Sequence, residues 1–188
     1  MTAVDTRETI LNAARAVAQA HGYGGLSFRE LAKEVGIKSA SIHYHFPTKG
    51  DLAAALARQY TERAKGELEA ILEEVDEPAA CLKRYVALFR RALENGNRMC
   101  LCGILAAGYE DIPREVRAEV VAFADLNVAW LTKVLGRVRG AKGPAKEQWG
   151  QAIYAAIGGA QLAARSRGDI ATFDQIVAGY SASGLIPS

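Results

Sequence analysis

Apolar residues recur along this chain at helical intervals, and no stretch alternates them with the period of two that marks a strand. In "DTRETILNAARAVAQAHGYGG", Ile10, Leu11, Ala14, Val17 and Ala18 share one face, and Gly22 after His21 predicts a C-terminal stop. "SFRELAKEVG" follows, where Ser27 and Glu30 form an S-x-x-E capping box, Leu31 starts the apolar face and Gly36 ends the helix after about two turns. A third helix is predicted from Ser39, and Pro47 stops it because a proline disfavours helical geometry in the residue before it. Thr48, with Asp51 three residues on, then caps a long helix through "TKGDLAAALARQYTERAKGELEAILEEV". Three short helices and a long one, with a turn of about four residues between the second and third, make a helix-turn-helix pattern.

Beyond it, Pro78 opens "PAACLKRYVALFRRALENG", with Cys81, Tyr85, Leu88, Phe89 and Leu93 on one face and Asn95-Gly96 as its end. "MCLCGILAAG" comes next. Then "IPREVRAEVVAFADLNVAWLTKVLGRVRG", with Pro113 in its first turn, carries a stripe of Val116, Val120, Phe123, Trp130, Leu131 and Val134. Asn127 interrupts that stripe, and burying it calls for a hydrogen-bond partner: a ligand, a neighbouring backbone group or a water. The last two helices are "AKEQWGQAIYAAIGGAQLAARSRG" and "ATFDQIVAGYSA". Ala156, Gly159, Ala160 and Ala163 give the first a smooth face, suited to packing against a twin or within the chain. The fold class is therefore all-α.

Composition narrows the function classes. At 188 residues, half of them apolar, with a net charge of +2, the chain is long enough to bury a core and too apolar to be a disordered tail. "MTAVDTRETI" is polar, no apolar run approaches the ~20 residues of a spanning helix, and a cytoplasmic protein without a membrane partner is expected. Three cysteines, Cys81, Cys100 and Cys102, suit a reducing compartment better than a disulfide framework. Residues 1–50 carry six basic side chains against four acidic ones, and the rest holds 17 against 17. The formal excess and all three histidines thus sit in the first quarter, which suits an anionic partner or a solvated surface alike.

The densest chemistry is "KSASIHYHF", with an H-x-H pair. At ~100° per residue His43 and His45 lie about 200° apart around a helix, so they cannot ligate one ion, and no metal or cofactor is called for. With Ile42 inward, Phe46 falls near the same face and Ile37 enters from the turn. Ala40, Ser41, His43 and Tyr44 then point outward, with Ser39 at the cap and His45 on the flank. That face lacks the carboxylate or cysteine of an acid/base or nucleophilic site. Its slim profile, donors and acceptors suit a DNA major groove.

"TILNAARAVAQAHGYGGLSFRELAKEVGIKSASIHYHFPTKGDLAAAL" resembles the N-terminal DNA-binding domain of the TetR family of transcriptional regulators, most specifically in "LAKEVGIKSASIHYHFPTKGDL". The resemblance implies a homodimer with a three-helix DNA-binding domain at 1–50 and a helical effector-binding and dimerisation domain at 51–188. Such a protein binds a double-stranded, palindromic operator and leaves it when a small-molecule effector enters the second domain. It implies backbone contact at Ser27 and Phe28 beside Arg29, base reading at Ser39, Ala40 and Ser41 after Lys38, backbone and thymine-methyl contacts at His43 and Tyr44, and a phosphate on Lys49. His45 packs or touches a phosphate. Ser27, Ser39 and Thr48 could equally serve as caps. With no outward arginine, asparagine or glutamine, specificity would rest partly on DNA shape.

By the same resemblance the last two helices of each copy form a four-helix bundle, engaging Ile153, Ala156, Ile157, Ala160, Phe173, Ile176, Val177 and Tyr180. A small, largely apolar effector would lie among the helices around 81–135, near Tyr85, Phe89, Cys100, Cys102, Phe123, Asn127 and Trp130. Cys100 and Cys102 could instead sense oxidants or electrophiles, with Arg98 favouring thiolates, or be small inert hydrophobes. The C-terminal segment is loosely similar to a branch of the family that includes electrophile-responsive repressors. Two other classes stay open, a thiol-dependent enzyme and a protein-interaction module. The first would need a base near the cysteines, whereas the histidines all lie in the first 50 residues; the second would not need the outward Ser-Ala-Ser-x-His-Tyr face.

Overall fold

A computed structural model of the chain describes residues 3–138 and 146–187. Within them every regular element is helical: α1 Ala3–His21, a 3-10 turn Tyr23–Gly25, α2 Phe28–Val35, α3 Ser39–His45, α4 Lys49–Glu74, α5 Pro78–Glu94, α6 Leu101–Ala107, α7 Arg114–Leu135, α8 Lys146–Arg167 and α9 Ile170–Ala182. Two ends of the sequence-predicted segments, Arg139-Gly140 and Ala145, lie outside the described residues. No helix among the described residues is long and apolar enough to cross a membrane.

Contacts divide the chain into two compact units. The first gathers the residues up to Glu62 with Leu101–Phe123, and the second gathers Arg63–Cys100 with the residues from Ala124 onward. In the first unit α2 packs on α1 and α3, and α6 packs on α1. The core holds Ile10, Leu11, Ala14 and Ala18 from α1, Leu31 and Ala32 from α2, Ile42 and Phe46, and Leu52 and Leu56 from α4. α7 contributes its first turns: Arg58 pairs with Glu119, and the rings of Tyr60 and Phe123 sit 5.4 Å apart. Pro113 stands just outside α7, its carbonyl accepting from the amides of Val116 and Arg117.

In the second unit α5 packs on α8 and α9, and α8 on α9. Cys81, Leu82, Tyr85, Phe89 and Leu93 form the buried side of α5; Leu82 takes part where Leu88, expected there, is half-exposed, because the face rotates over the length of the helix. Asn127 finds a protein partner, as the Tyr85 hydroxyl donates to its Oδ1 at 3.1 Å. Burial pushes that hydroxyl well above the usual tyrosine range, so it stays protonated and donating. Trp130 stacks on Tyr85 at 5.3 Å and donates its Nε1–H to the Leu68 carbonyl at 2.7 Å, fixing α7 against α4. A second buried amide, Gln161, donates to the Phe89 carbonyl at 2.7 Å and accepts from the Cys100 amide at 3.3 Å. Asn97, in the left-handed region at φ 57°, donates to the Arg165 carbonyl while Arg165 donates back to the Asn97 carbonyl, both at 3.0 Å. The stretch from α5 to α6 is thereby clasped to α8.

On the surface of this unit Arg90 grips Asp174 through two nitrogens, at 2.7 and 2.9 Å, linking α5 to α9. The guanidinium holds the Asp174 carboxyl below the usual carboxylate range against a smaller opposing effect of burial. A lowered carboxyl stabilises the folded state above its unfolded pKa and loses that contribution as pH falls through the folded one.

Tyr85→Phe removes the donor that Asn127 Oδ1 meets inside the core. The variant is expected to lose about 1–3 kcal/mol in urea unfolding. Adding Asn127→Leu should cost less than the sum of the two single changes, because one interaction is then lost once.

Candidate nucleic-acid interface

The geometry of α3 is set at both ends by backbone chemistry. Gly36 closes α2 at φ 75°, in the left-handed conformation that glycine adopts without strain, and its amide donates to the carbonyls of Ala32 and Lys33. Three residues, Gly36 to Lys38, make the turn, one fewer than the sequence suggested. Lys38, and not Ser39, occupies the N-cap position, and no side chain caps α3. A lysine head offers only donors, so it cannot satisfy the amides of the first turn. At the other end Phe46 is extended (φ −140°, ψ 97°), as the residue before a proline prefers.

The caps of the flanking helices differ. At α2 the Ser27 hydroxyl accepts from the Glu30 amide at 3.5 Å. The reciprocal half of the predicted box is replaced, because the Glu30 carboxylate takes Arg29 Nε at 2.9 Å and Lys33 Nζ at 3.2 Å. Lys33 and Arg29 hold the Glu30 carboxyl below its usual range. At α4 the box is complete: Thr48 Oγ1 accepts from the Asp51 amide at 3.1 Å, and Asp51 Oδ2 accepts from the Thr48 amide at 3.0 Å. Gly50 lies beside it, where a Cβ would displace the mobile end of the Glu115 side chain and crowd Pro113.

Between these fixed ends α3 rests on two residues. Ile42 and Phe46 are buried, while Ala40, His43 and Tyr44 are exposed, Tyr44 to 81%. Ser39, Ser41 and His45 are half-buried along the edges, and Ile37 is half-buried in the turn. The ring of Phe28 meets the His43 imidazole edge-on at 4.7 Å, and Tyr44 meets His45 at 5.2 Å. His43 Nδ1 lies 3.4 Å from the Pro47 carbonyl oxygen. Arg29 and Lys38 are exposed, and Lys49 Nζ sits 4.3 Å above the ring of Tyr23. Ser27, Phe28, Arg29 and the residues of α3 thus lie together on two helices in direct contact. Arg7, whose guanidinium stands 5.2 Å over the Phe46 ring, adds a cation that the sequence reading passed over. Its signal would have been its place one turn before Leu11 on a helix that packs against α3.

The residues expected around an effector are divided between the two units. Tyr85, Phe89, Asn127 and Trp130 pack together in the second unit, while Phe123 and Cys102 fall in the first. Cys81, Cys100 and Cys102 are buried and joined in no disulfide, and burial raises the Cys81 thiol. Its Sγ–H points to the Val75 carbonyl at 3.2 Å. Of the residues expected at a dimer interface, Ile153, Ile157, Ala160 and Phe173 lie in the core of this chain, which leaves them no free side-chain surface. Ala156, Ile176, Val177 and Tyr180 are half-buried. The outward row of α8 is instead Ala152, Ala155, Gly159 and Leu162, with Leu162 exposed to 57%. Gln161 was also missed, although it stands four residues after Ile157 on an apolar row, the same interruption that marked Asn127.

The family described as "Bacterial regulatory proteins, tetR family" matches residues 10–56, the stretch from the core of α1 into α4. The HTH-type transcriptional regulator LmrA of Bacillus subtilis is 31% identical over 83 residues, 44% of this chain and 44% of that protein. The chain thus spans about half the length of the curated relatives it matches. Solved structures match over nearly the whole fold. A TetR-family regulator from Agrobacterium tumefaciens superposes with a TM-score of 0.88 at 30% identity, covering 93% of this chain and 95% of that one. A TetR regulator from Legionella pneumophila gives 0.84 at 29% identity, over 90% and 91%. The fold and the α2–α3 pair define a helix-turn-helix transcriptional regulator. The chain belongs to the TetR family.

Replacing Thr48 with alanine removes the acceptor for the Asp51 amide at the head of α4. About 1 kcal/mol of stability is expected to go with it, read as a lowered midpoint in thermal or urea unfolding.

Proposed function

We propose that this regulator is a homodimeric repressor that binds a palindromic operator through α3 and is released when a small molecule enters the part of the chain from residue 51 onward. Residues 1–50 would read DNA, and residues 51–188 would bind effector and dimerise. The observation that carries the reading is the division of α3 between two buried anchors, Ile42 and Phe46, and an outward face that ends in Tyr44. A phenol exposed to 81% has no role in holding the fold, whereas in a major groove it offers a ring to thymine methyls and a hydroxyl to phosphate. Ser39, Ala40 and Ser41 are slim enough to bring the helix close to base edges. Ser27, Phe28, Arg29, Lys38, His43, His45 and Lys49 would contact the backbone around them.

For the dimer, the outward row Ala152, Ala155, Gly159 and Leu162 of α8, with Ala178 and Ala182 exposed on α9, supports a bundle of two helices from each copy. Small side chains let helix backbones approach closely, and Ala156, Ile176, Val177 and Tyr180 keep part of their surface exposed on the same two helices. The effector would be small and largely apolar, taken up by displacing packed aromatics such as Tyr85, Phe89 and Trp130. Burial of Cys100 and Cys102 favours their reading as packed hydrophobes over thiol sensors. Like other operator-bound regulators it would act in the cytoplasm.

Mobility-shift assays with the DNA flanking its own gene test the core of this reading: salt-sensitive, sequence-selective binding is expected, and its absence would sink the repressor. Tyr44→Ala should weaken operator binding by tenfold or more, at ~1–3 kcal/mol per lost base contact, with unfolding midpoint and oligomeric state unchanged. Leu162→Glu, placing a charge on the outward row of α8, should yield monomers in sedimentation velocity and lose the operator with them.

A further inference from the structure

We propose that His43 holds an operator phosphate only as an imidazolium, so that operator binding takes up a proton at each half-site. The inference rests on the reading of α3 as the DNA-contacting helix. The Pro47 carbonyl oxygen 3.4 Å from His43 Nδ1 can only accept, which favours the tautomer that carries its proton on Nδ1. In the neutral ring the remaining nitrogen, Nε2, is then an acceptor. A phosphate oxygen is an acceptor too, and the two would meet lone pair to lone pair. A second proton on Nε2 turns it into a charged donor without moving the ring, which the Pro47 carbonyl and the Phe28 edge at 4.7 Å already fix. Phe28 opens α2, so its ring contact places the imidazole beside the first turn of that helix, whose leading amides and positive dipole end suit a phosphate.

The surrounding charges couple this proton to DNA. α1 and α2 pack against α3, and the start of α4 follows it in the chain. α1 brings Arg7 over the Phe46 ring, and α2 brings Arg29, Lys33 and Glu34, with Glu30 bonded to both cations. The start of α4 brings Lys49 and an Asp51 held in the Thr48 cap, and Lys38, Tyr44 and His45 complete the neighbourhood on α3 and its entry. Glu30 and Asp51 each have partners of their own, and an operator phosphate would bring the further negative charge that pairs with an imidazolium. Because the charged form is the one that binds, the gain in affinity is present at low pH and fades as pH rises through the titration of the complex.

Anisotropy titrations of operator DNA at fixed ionic strength, from pH 8.0 to about 5.5, test this with wild type, His43→Gln and His45→Gln. Wild-type affinity should rise on acidification, up to about tenfold per pH unit for each fully linked proton. His43→Gln, whose amide donates at every pH, should still bind but lose most of that rise, and His45→Gln should keep it. A wild-type affinity that is flat or falls on acidification, or a His43→Gln variant that keeps the rise, overturns the proposal while the DNA-reading role of α3 stands. A falling affinity would mean that Nε2 accepts from a base amine. Failure of wild type to bind the flanking DNA at any pH would overturn both.

Discussion

A seven-residue helix does not stand alone in water, because too few hydrogen bonds follow the cost of its first turn. α3 exists because Ile42 and Phe46 are buried where α1 and α2 pack against it. That anchorage leaves the other six positions of the helix exposed or half-buried, with little of the packing to carry. A face with no packing duty can be built of serine, alanine, histidine and tyrosine, which a core would reject, and such a face can be offered to a charged polymer. The cation of Arg7 over the Phe46 ring and the Phe28 edge on His43 tighten the same anchorage from α1 and α2.

The entry and exit angles of α3 come from backbone restrictions. Gly36 turns the chain at a positive φ, Phe46 is held extended by Pro47, and the Thr48–Asp51 box starts α4 at once. With both ends fixed, the backbone of α3 has little freedom left to lose on binding, which favours affinity from a small contact area. Glu115 and Glu119 of α7 reach Gly50 and Arg58 of α4, so the first turns of α7 belong with the DNA-reading helices.

The second unit is organised by buried polar groups set in an apolar interior. Asn127 with Tyr85, Trp130 with the Leu68 carbonyl, and Gln161 between Phe89 and Cys100 each join two segments at a defined register. Hydrophobic burial alone would tolerate sliding of one helix past another. A buried amide left without its partner costs more than the bond contributes, and so these groups penalise slipped arrangements.

The periodicity of apolar residues, with Gly22, Gly36, Pro47, Pro78 and the caps Ser27 and Thr48, was enough to read every described helix but α6, most of their ends and the outward face of α3. These are local properties, since a backbone dihedral or a 3.6-residue period depends on near neighbours. The sequence likewise marked Asn127 as needing a partner. Only the tertiary structure decided that the partner is Tyr85, that Glu30 turns to Arg29 and Lys33, and that Ile153, Ile157, Ala160 and Phe173 face inward. An apolar row on a helix says that a face is buried, not what buries it, and α8 carries two such rows. Which one meets its own chain depends on how α5 and α9 close around it, and that is a matter of packing among residues far apart in sequence.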